Sequence, residues 1–277
     1  MTQPTILMCP PDYFGIEYEI NPWMKLERDA EPGQAQAQWA KLHETLVGVG
    51  VEVKLLEPRD GLPDFVFTAN AGLVYGNRFV SSRFQHKVRA AESPHFEEWF
   101  ADHGYTVEHL PKSVCFEGAG DALFCGQTLF AGYRIRSDAG GHHQIAKMLG
   151  IHVLPVELVD RRFYHLDTCF CPLAPDEAIY FPDAFDDYGQ KVLKQHIPKL
   201  HSVAEDDAER FGCNAVVVGK TVILNDGCDK LMGALEDWGY QPIAIKLDEF
   251  LKSGGSAKCL TLRLDGEEAA GWRDGAG

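Results

Sequence analysis

A unit made of an amphipathic helix, a glycine and an alternating strand recurs along this sequence, and a repeat of that kind sets the architecture before any single element does. It reads as residues 39–49, Gly50 and 51–56; as 95–103, Gly104 and 105–110; as 142–149, Gly150 and 151–156; and as 230–238, Gly239 and 240–245. Glycine is the expected left-handed terminator after each helix. The glycines are 54, 46 and 89 residues apart. The last gap is close to two periods, and residues 188–197 leading into 200–204 fill it as a copy without its glycine. Between the units lie pairs of short apolar runs split by turn residues: 71–75 with 79–82, 122–125 with 128–131, 168–171 with 178–181, and 215–218 with 221–224. Each pair reads as a hairpin. The chain is therefore α/β, with modules of order strand–strand–helix–strand (ββαβ). Five modules account for its length, the fifth closed by 259–264 together with an N-terminal strand at 5–8. Ends that carry complementary halves of one module predict a ring: a five-bladed α/β propeller with pseudo-five-fold symmetry.

A prior of ~150 residues per domain divides 277 residues into about two domains. The repeat instead assigns 1–264 to a single propeller and leaves 265–277 as a polar tail. The uncharged apolar runs, such as 213–219 and 221–224, fall far short of the ~20 residues a spanning helix needs. No secretory signal is read in residues 1–11. With 26 Lys and Arg against 41 Asp and Glu, the net charge of −15 and the lack of a basic block disfavour a phosphate backbone as partner. The expectation is a cytoplasmic protein acting on a small molecule, without nucleic acid or membrane. Homo-oligomerisation is left open.

Lining up the five modules singles out one position. Asn70, Asp121, Asp167, Asn214 and Cys259 each stand before the first strand of a module, at spacings of 51, 46, 47 and 45. Equivalent positions of a ring converge on its axis, so these polar residues are expected to line a central channel. Eight cysteines occur, with no C-x-x-C pair and no histidine at zinc spacing from the C-x-C at Cys169 and Cys171. No metal site is read, and without an export signal no disulfide framework either. Seven cysteines read as small buried hydrophobes. Cys259, on the axis and preceded by the small residues 253–257, reads as a nucleophile; a flexible Gly/Ser linker is the plain alternative for that stretch.

A thiol nucleophile needs a proton partner. His165 stands two residues before Asp167, on the same side of the chain if the segment is extended; taken alone, it reads as structural. Glu117, before the second module, could orient the histidine or shuttle a proton. The carboxylates Asp64, Glu117, Asp121 and Asp167 around one thiol suit a cation, above all a planar guanidinium, although Asp121 beside Gly120 also reads as a turn residue. A carboxylate on the same substrate could go to Arg83 or Arg89, or to Arg134 or Arg136, and the residues alone do not choose.

The stretches Leu62-Pro63-Asp64-Phe65-Val66-Phe67-Thr68-Ala69-Asn70-Ala71-Gly72, Phe116-Glu117-Gly118-Ala119-Gly120-Asp121 and His165-Leu166-Asp167, followed by the late glycine-rich Cys259, resemble the guanidine-modifying enzymes of the pentein, or α/β-propeller, superfamily. The resemblance runs over nearly the whole chain. It implies a cofactor-free Cys-His-Glu centre in which Cys259 attacks the guanidinium carbon, aided by an electropositive surrounding, and His165 protonates the departing amine and later activates water. It further implies that Glu117 holds His165 and the guanidinium, that Asp167 grips the guanidinium nitrogens, and that Arg89 and Arg136 take the substrate carboxylate. Asp64 belongs to the substrate-facing carboxylates, and Asn21 to a loop that closes over the substrate. Deiminases and dimethylarginine hydrolases usually carry Asp where this chain has Asn70. Asn both donates and accepts and can hold a neutral ureido group as well as a cation, which resembles the arginine dihydrolase branch: arginine to ornithine, two ammonia and carbon dioxide. Some of those enzymes carry a further C-terminal domain. The alternatives are a deiminase or dimethylarginine hydrolase that stops at citrulline, and a non-catalytic propeller that senses an amino acid.

Overall fold

The computed structural model describes residues 3–266; the polar tail read at 265–277 lies, from residue 267 on, outside the described residues. The chain forms five three-stranded sheets arranged as the modules of a propeller. The first carries β1 (Thr5–Met8), α1 (Pro32–Gly48) and β2 (Glu52–Leu55). The second is β3 (Gly72–Tyr75), β4 (Arg78–Ser81), α2 (Ser93–Asp102) and β5 (Thr106–Glu108), and the third β6 (Ala122–Cys125), β7 (Thr128–Tyr133), α3 (Ala139–Leu149) and β8 (His152–Glu157). The fourth is β9 (Phe170–Ala174), β10 (Glu177–Tyr180), α4 (Asp187–His196) and β11 (Lys199–Ser202), followed by the short α5 (Glu205–Glu209). The fifth is β12 (Val216–Val218), β13 (Thr221–Asn225), α6 (Asp229–Asp237) and β14 (Gln241–Ile245), followed by α7 (Asp248–Leu251) and β15 (Leu262–Arg263).

Every sheet repeats one pairing: first strand antiparallel to the second, second parallel to the third. The first module obeys it with strands from both ends of the chain, β15 antiparallel to β1 and β1 parallel to β2. This is the ring closure expected from the split module. The first strands are mostly buried and the third mostly half-buried or exposed, so each blade points its first strand inward. Prolines obey the same geometry. Pro155, Pro172 and Pro242 lie in β8, β9 and β14, all flanking strands, where a missing N–H costs no ladder bond.

The helices start and stop for local reasons. Pro32 opens α1 and the Glu31 carboxylate accepts from the N–H of Gly33 and Gln34, a capped N-terminus seven residues ahead of the expected start at Trp39. Ala35, Gln38, Trp39, Leu42 and Leu46 then bury one stripe of it. Gly50, Gly104, Gly150 and Gly239 all adopt positive φ, between 69° and 92°, as the terminator reading requires. Among the described residues no helix is long and apolar enough to cross a membrane.

The axis departs from expectation in two ways. Asn70 and Asp167 lie within one-turn 3-10 helices, Thr68–Ala71 and Leu166–Thr168, and Asp121 ends a third, Gly118–Gly120; none starts a strand. The five positions are also buried, and instead of lining an open channel they join the modules in a belt. Asn70 Nδ2 donates to the Glu117 carbonyl, Leu166 N–H to Asp121 Oδ1, Asn214 Nδ2 to the Asp167 carbonyl and Cys259 N–H to Asn214 Oδ1. Ala69 N–H to the Cys259 carbonyl closes the circle. Buried polar groups left unpaired would cost about 1–3 kcal/mol each, so the belt fixes how neighbouring blades meet.

Candidate active site

Cys259 follows a tight glycine turn. A Cβ on Gly255 would fall 2.5 Å from the Phe67 ring, and Gly254 has φ +78° against Tyr164 and Trp23. Residues 253–257 are therefore small because the backbone is pressed against aromatic walls, not because they form a loose linker. The thiol is 3% exposed. Asn214 Nδ2 donates to Sγ at 3.1 Å, and the thiol donates to Asp167 Oδ2 at 3.3 Å. Burial, then the Asp167 charge, push the thiol well above its ordinary pKa. This corrects the expectation of an electropositive surrounding: in the free protein the thiol is protonated. Burial likewise raises Asp167 to about 7, and its Oδ1 has no hydrogen-bond partner.

Beside it, the buried Glu117 carboxylate is fully occupied. Oε2 takes His165 Nε2 at 2.8 Å and Arg136 at 2.9 Å, while Oε1 accepts from Gln85 N–H. Burial would raise its pKa, but Arg136, His165 and Arg89 outweigh that and hold it well below the usual carboxylate range. An ionised Glu117 fixes the imidazole tautomer: Nε2 carries the hydrogen, and Nδ1, buried and unpartnered, is an open lone pair. Burial, against the opposing pull of Glu117, lowers His165 to about 4. His165 precedes the 3-10 turn that holds Asp167, so the two share a site through a turn and not through strand alternation.

On the other side, Arg89 is 3% exposed and held from all directions. Glu92 takes it with both oxygens at 2.7 Å, while Asn70 Oδ1 and the Asp64 carbonyl accept at 2.9 and 3.1 Å. Asp64 Oδ2 accepts from Tyr18 OH at 3.0 Å and its Oδ1 is buried without a partner; burial raises its pKa despite Arg89 and Tyr18. The choice between arginines resolves by position. Arg89 and Arg136 reach the cavity in front of Cys259, whereas Arg83 bonds the carbonyls of Val114 and Lys112 and Arg134 pairs with Glu157. Asp121 holds Ser137 and Leu166 N–H, the turn role weighed for it.

A loop between β1 and α1 covers the site. Asn21 donates to the Ser253 carbonyl at 3.0 Å and accepts from the N–H of Trp23 and Met24, Trp23 bonds the Arg162 carbonyl, and Arg136 bonds that of Ile20. Tyr164 lies under the Arg136 guanidinium at 4.6 Å. The enclosed cavity, lined by Asn21, Asp64, Asn70, Arg89, Arg136 and Cys259 among others, has a volume of about 10 Å³, room for one water. A vestibule of about 450 Å³ lies outside and shares Ile20, Asn21, Arg136 and Tyr164 with the cavity.

Apart from Arg83 and Arg134, the candidate site residues read from the sequence thus gather at one place. Sequence reasoning placed Asn214 only in the lining of the axis, with no chemical role, and did not single out Glu92, Tyr18 or Tyr164. The repeat pointed to Asn214; the other three carried no signal, since an exposed and a buried tyrosine or glutamate look alike in a sequence. Among the described residues no group of three or more His, Cys, Asp or Glu could hold a metal ion.

The profile of the family described as N,N dimethylarginine dimethylhydrolase, eukaryotic, matches residues 10–265. A bifunctional arginine dihydrolase/ornithine cyclodeaminase of Nostoc sp. is 49% identical over 93% of the chain, which spans only 37% of that protein's length. An N(G),N(G)-dimethylarginine dimethylaminohydrolase of Mycobacterium tuberculosis is 40% identical over 93% of the chain and 84% of its own. A crystal structure of the substrate-bound N-terminal domain of ArgZ, an arginine dihydrolase from the ornithine-ammonia cycle in Cyanobacteria, superimposes with a TM-score of 0.92 at 47% identity, covering 96% of the chain and 99% of that domain.

Proposed function

We propose, from the premise that the chain belongs to the dimethylarginine dimethylhydrolase family of penteins, that it is a thiol-dependent hydrolase converting arginine with two waters to ornithine, two ammonia and carbon dioxide. The observation that carries this reading is a buried thiol hydrogen-bonded to Asp167 and sharing its cavity with Asp64, together with three buried polar atoms that lack partners, His165 Nδ1, Asp64 Oδ1 and Asp167 Oδ1. Two acceptors and one base are what a guanidinium offering N–H donors and a departing amine require.

The free thiol's hydrogen already points at Asp167. A bound guanidinium brings positive charge beside the thiol, so in the first round the S–H bond breaks once the cation is in place. The electron pair stays on sulfur and forms the C–S bond; the proton, passed to His165 Nδ1, leaves with the first ammonia as the C–N bond breaks. Water activated by the same nitrogen cleaves the C–S bond and leaves a neutral ureido group. A second round expels the second ammonia, and hydrolysis gives a carbamate that decomposes to ornithine and carbon dioxide. Glu117 keeps His165 in the tautomer each step needs. Arg136, and Arg89 to the extent that Glu92 releases it, face the substrate carboxylate, and Asn21 closes the loop over it.

Asn70 favours two rounds over one. Its amide donates as well as accepts, so a neutral intermediate is not driven out as it would be by a carboxylate seeking a cation. Purified protein given arginine should release close to two ammonia per ornithine without accumulating citrulline, and Cys259→Ser should abolish turnover. Stoichiometric citrulline with one ammonia overturns the dihydrolase reading. The second reading, release of methylamines from methylated arginine, is favoured by the similarity to the Mycobacterium tuberculosis protein and is tested by the same assay with dimethylarginine.

A further inference from the structure

Besides a backbone contact from Ser256, two side chains hydrogen-bond the sulfur of Cys259, and only one of them, Asp167, belongs to the guanidine chemistry described above. The other is Asn214, the equivalent of Cys259 one module earlier. Its side chain is fully buried and every polar position on it is used. Oδ1 accepts from Ser256 N–H and Cys259 N–H, both at 3.1 Å; Nδ2 donates to the Asp167 carbonyl at 3.0 Å and to Cys259 Sγ at 3.1 Å. Its carbonyl accepts from Lys258 N–H and its N–H bonds the Phe211 carbonyl. One amide therefore holds Cys259, the Asp167 that accepts the thiol's hydrogen bond, and the turn that carries the nucleophile.

We propose that Asn214 is the positioning residue of the nucleophile: by donating to Sγ it turns the thiol's own hydrogen toward Asp167, and the same donor remains on the thiolate once that hydrogen has left. A sulfur that accepts one hydrogen bond and donates another has its S–H direction fixed, and of the neighbours only Asp167 accepts. The donation also opposes the forces that keep the thiol protonated, burial and the Asp167 charge. The charged and titratable groups around the sulfur are Asp167 and Tyr164 by electrostatic contact, Lys258 acting on Asp167, and Asp64, Arg89 and Arg136 across the cavity. Asn214 is neutral and accounts for none of that charge, so its effect is separable from theirs. The proposal deepens the hydrolase reading and rests on it for the meaning of the nucleophile.

Asn214→Asp retains an Oδ1 acceptor for both backbone N–H groups, loses the donor to sulfur and adds a charge, so it is read beside Asn214→Ser, which loses the donor without adding charge. Alkylation of Cys259 by iodoacetamide, followed by peptide mass mapping across pH, reads the thiol without any substrate. Each variant should move the alkylation midpoint up by at least about one pH unit, a roughly tenfold slower reaction below the midpoint. On arginine, kcat should fall about 10²-fold or more with KM within a few-fold. A folded Asn214→Asp or Asn214→Ser with wild-type alkylation midpoint and kcat overturns the proposal. If one variant does not fold, the other is read alone in the same way. Failure of both to fold makes Asn214 a scaffold residue and also overturns it. Failure of the hydrolase reading is seen separately, as absence of ammonia release by the wild-type protein.

Discussion

At the scale of single residues, the site works by opposing burial with a few chosen partners. His165 and Glu117 form one unit: burial alone would neutralise both, yet Arg136 and Arg89 keep Glu117 ionised, and the ionised Glu117 in turn pulls the His165 pKa up against burial. The balance leaves His165 neutral down to about pH 4, whereas an ordinary histidine gains its proton near 6.5. Long-range proton–nitrogen correlation spectra, with His165 assigned by its loss in His165→Gln, should show one imidazole titrating near 4 with Nε2 protonated throughout. A His165 midpoint near 6.5 would refute the burial argument, and a neutral ring protonated at Nδ1 would refute the tautomer assignment. Asn70 makes a second prediction. Its Oδ1 faces Arg89 and its Nδ2 the Glu117 carbonyl, so Asn70→Asp keeps the first contact and turns the second into two facing acceptors, beside Asp64, Glu92 and Glu117. Loss of one buried donor at about 1–3 kcal/mol should lower retention of the neutral ureido intermediate roughly tenfold or more, read as citrulline appearing in place of ornithine. An unchanged product ratio would remove Asn70 from the specificity argument.

At the scale of elements, the tight turns before the inner strands are where structure and sequence part company. Hairpins, helices and their glycine terminators were legible because apolar period and turn chemistry are local. The one-turn helices were not, since three or four residues carry no readable period. That is why His165 and Asp167 were expected to share a strand face and Cys259 to begin a strand, when all three sit on turns. The site residues were legible as a set, through their module equivalence and motif order, but not their partners: Glu92 lies in an ordinary polar stretch, and nothing local marks it as the clamp of Arg89. The turn Gly118–Gly120 offers a test that separates fold from function. Gly118 has φ +66° and a Cβ there would meet backbone atoms of Ala69 and Gly72 within 2.9 Å, whereas a Cβ on Gly120 would strike the Asn70 amide nitrogen at 2.3 Å and lie 3.5 Å from the His165 ring. Gly118→Ala should cost stability, on the order of 1–3 kcal/mol. Gly120→Ala should lower kcat/KM by about tenfold or more, since a displacement of about 1 Å can cost 10²-fold, with a smaller change in melting temperature. Equal activity losses in both, tracking stability, would show that the turn is only scaffold.

At the scale of the whole molecule, the nucleophile and its surroundings come from modules that meet only when the ring closes. Cys259 lies near one end of the described chain, and its carbonyl accepts from Ala69 N–H in the turn that carries Asn70. That contact depends on β1, the central strand of the split module, whose Leu7 pairs with Leu262 on one side and Lys54 on the other and whose carbonyl accepts from Thr68 Oγ1. The native prolines show what a sheet of this fold tolerates: they stand in flanking strands and never in a central one among the described residues. Leu7→Pro removes a hydrogen bond where both sides of the strand are paired. It should cost on the order of 3 kcal/mol or more, roughly 10 °C in melting temperature for a chain of this size, and abolish activity by parting Cys259 from Asn70. Val153→Pro is the control: it lies in the flanking strand β8 two residues from Pro155, so its N–H points to the same unpaired side. Its melting temperature should stay within a few degrees of wild type, and ornithine formation should persist. Calorimetry and the arginine assay on both variants decide the matter, because a Leu7→Pro protein that melts and turns over like Val153→Pro would mean that the blades hold the site without the closing strand.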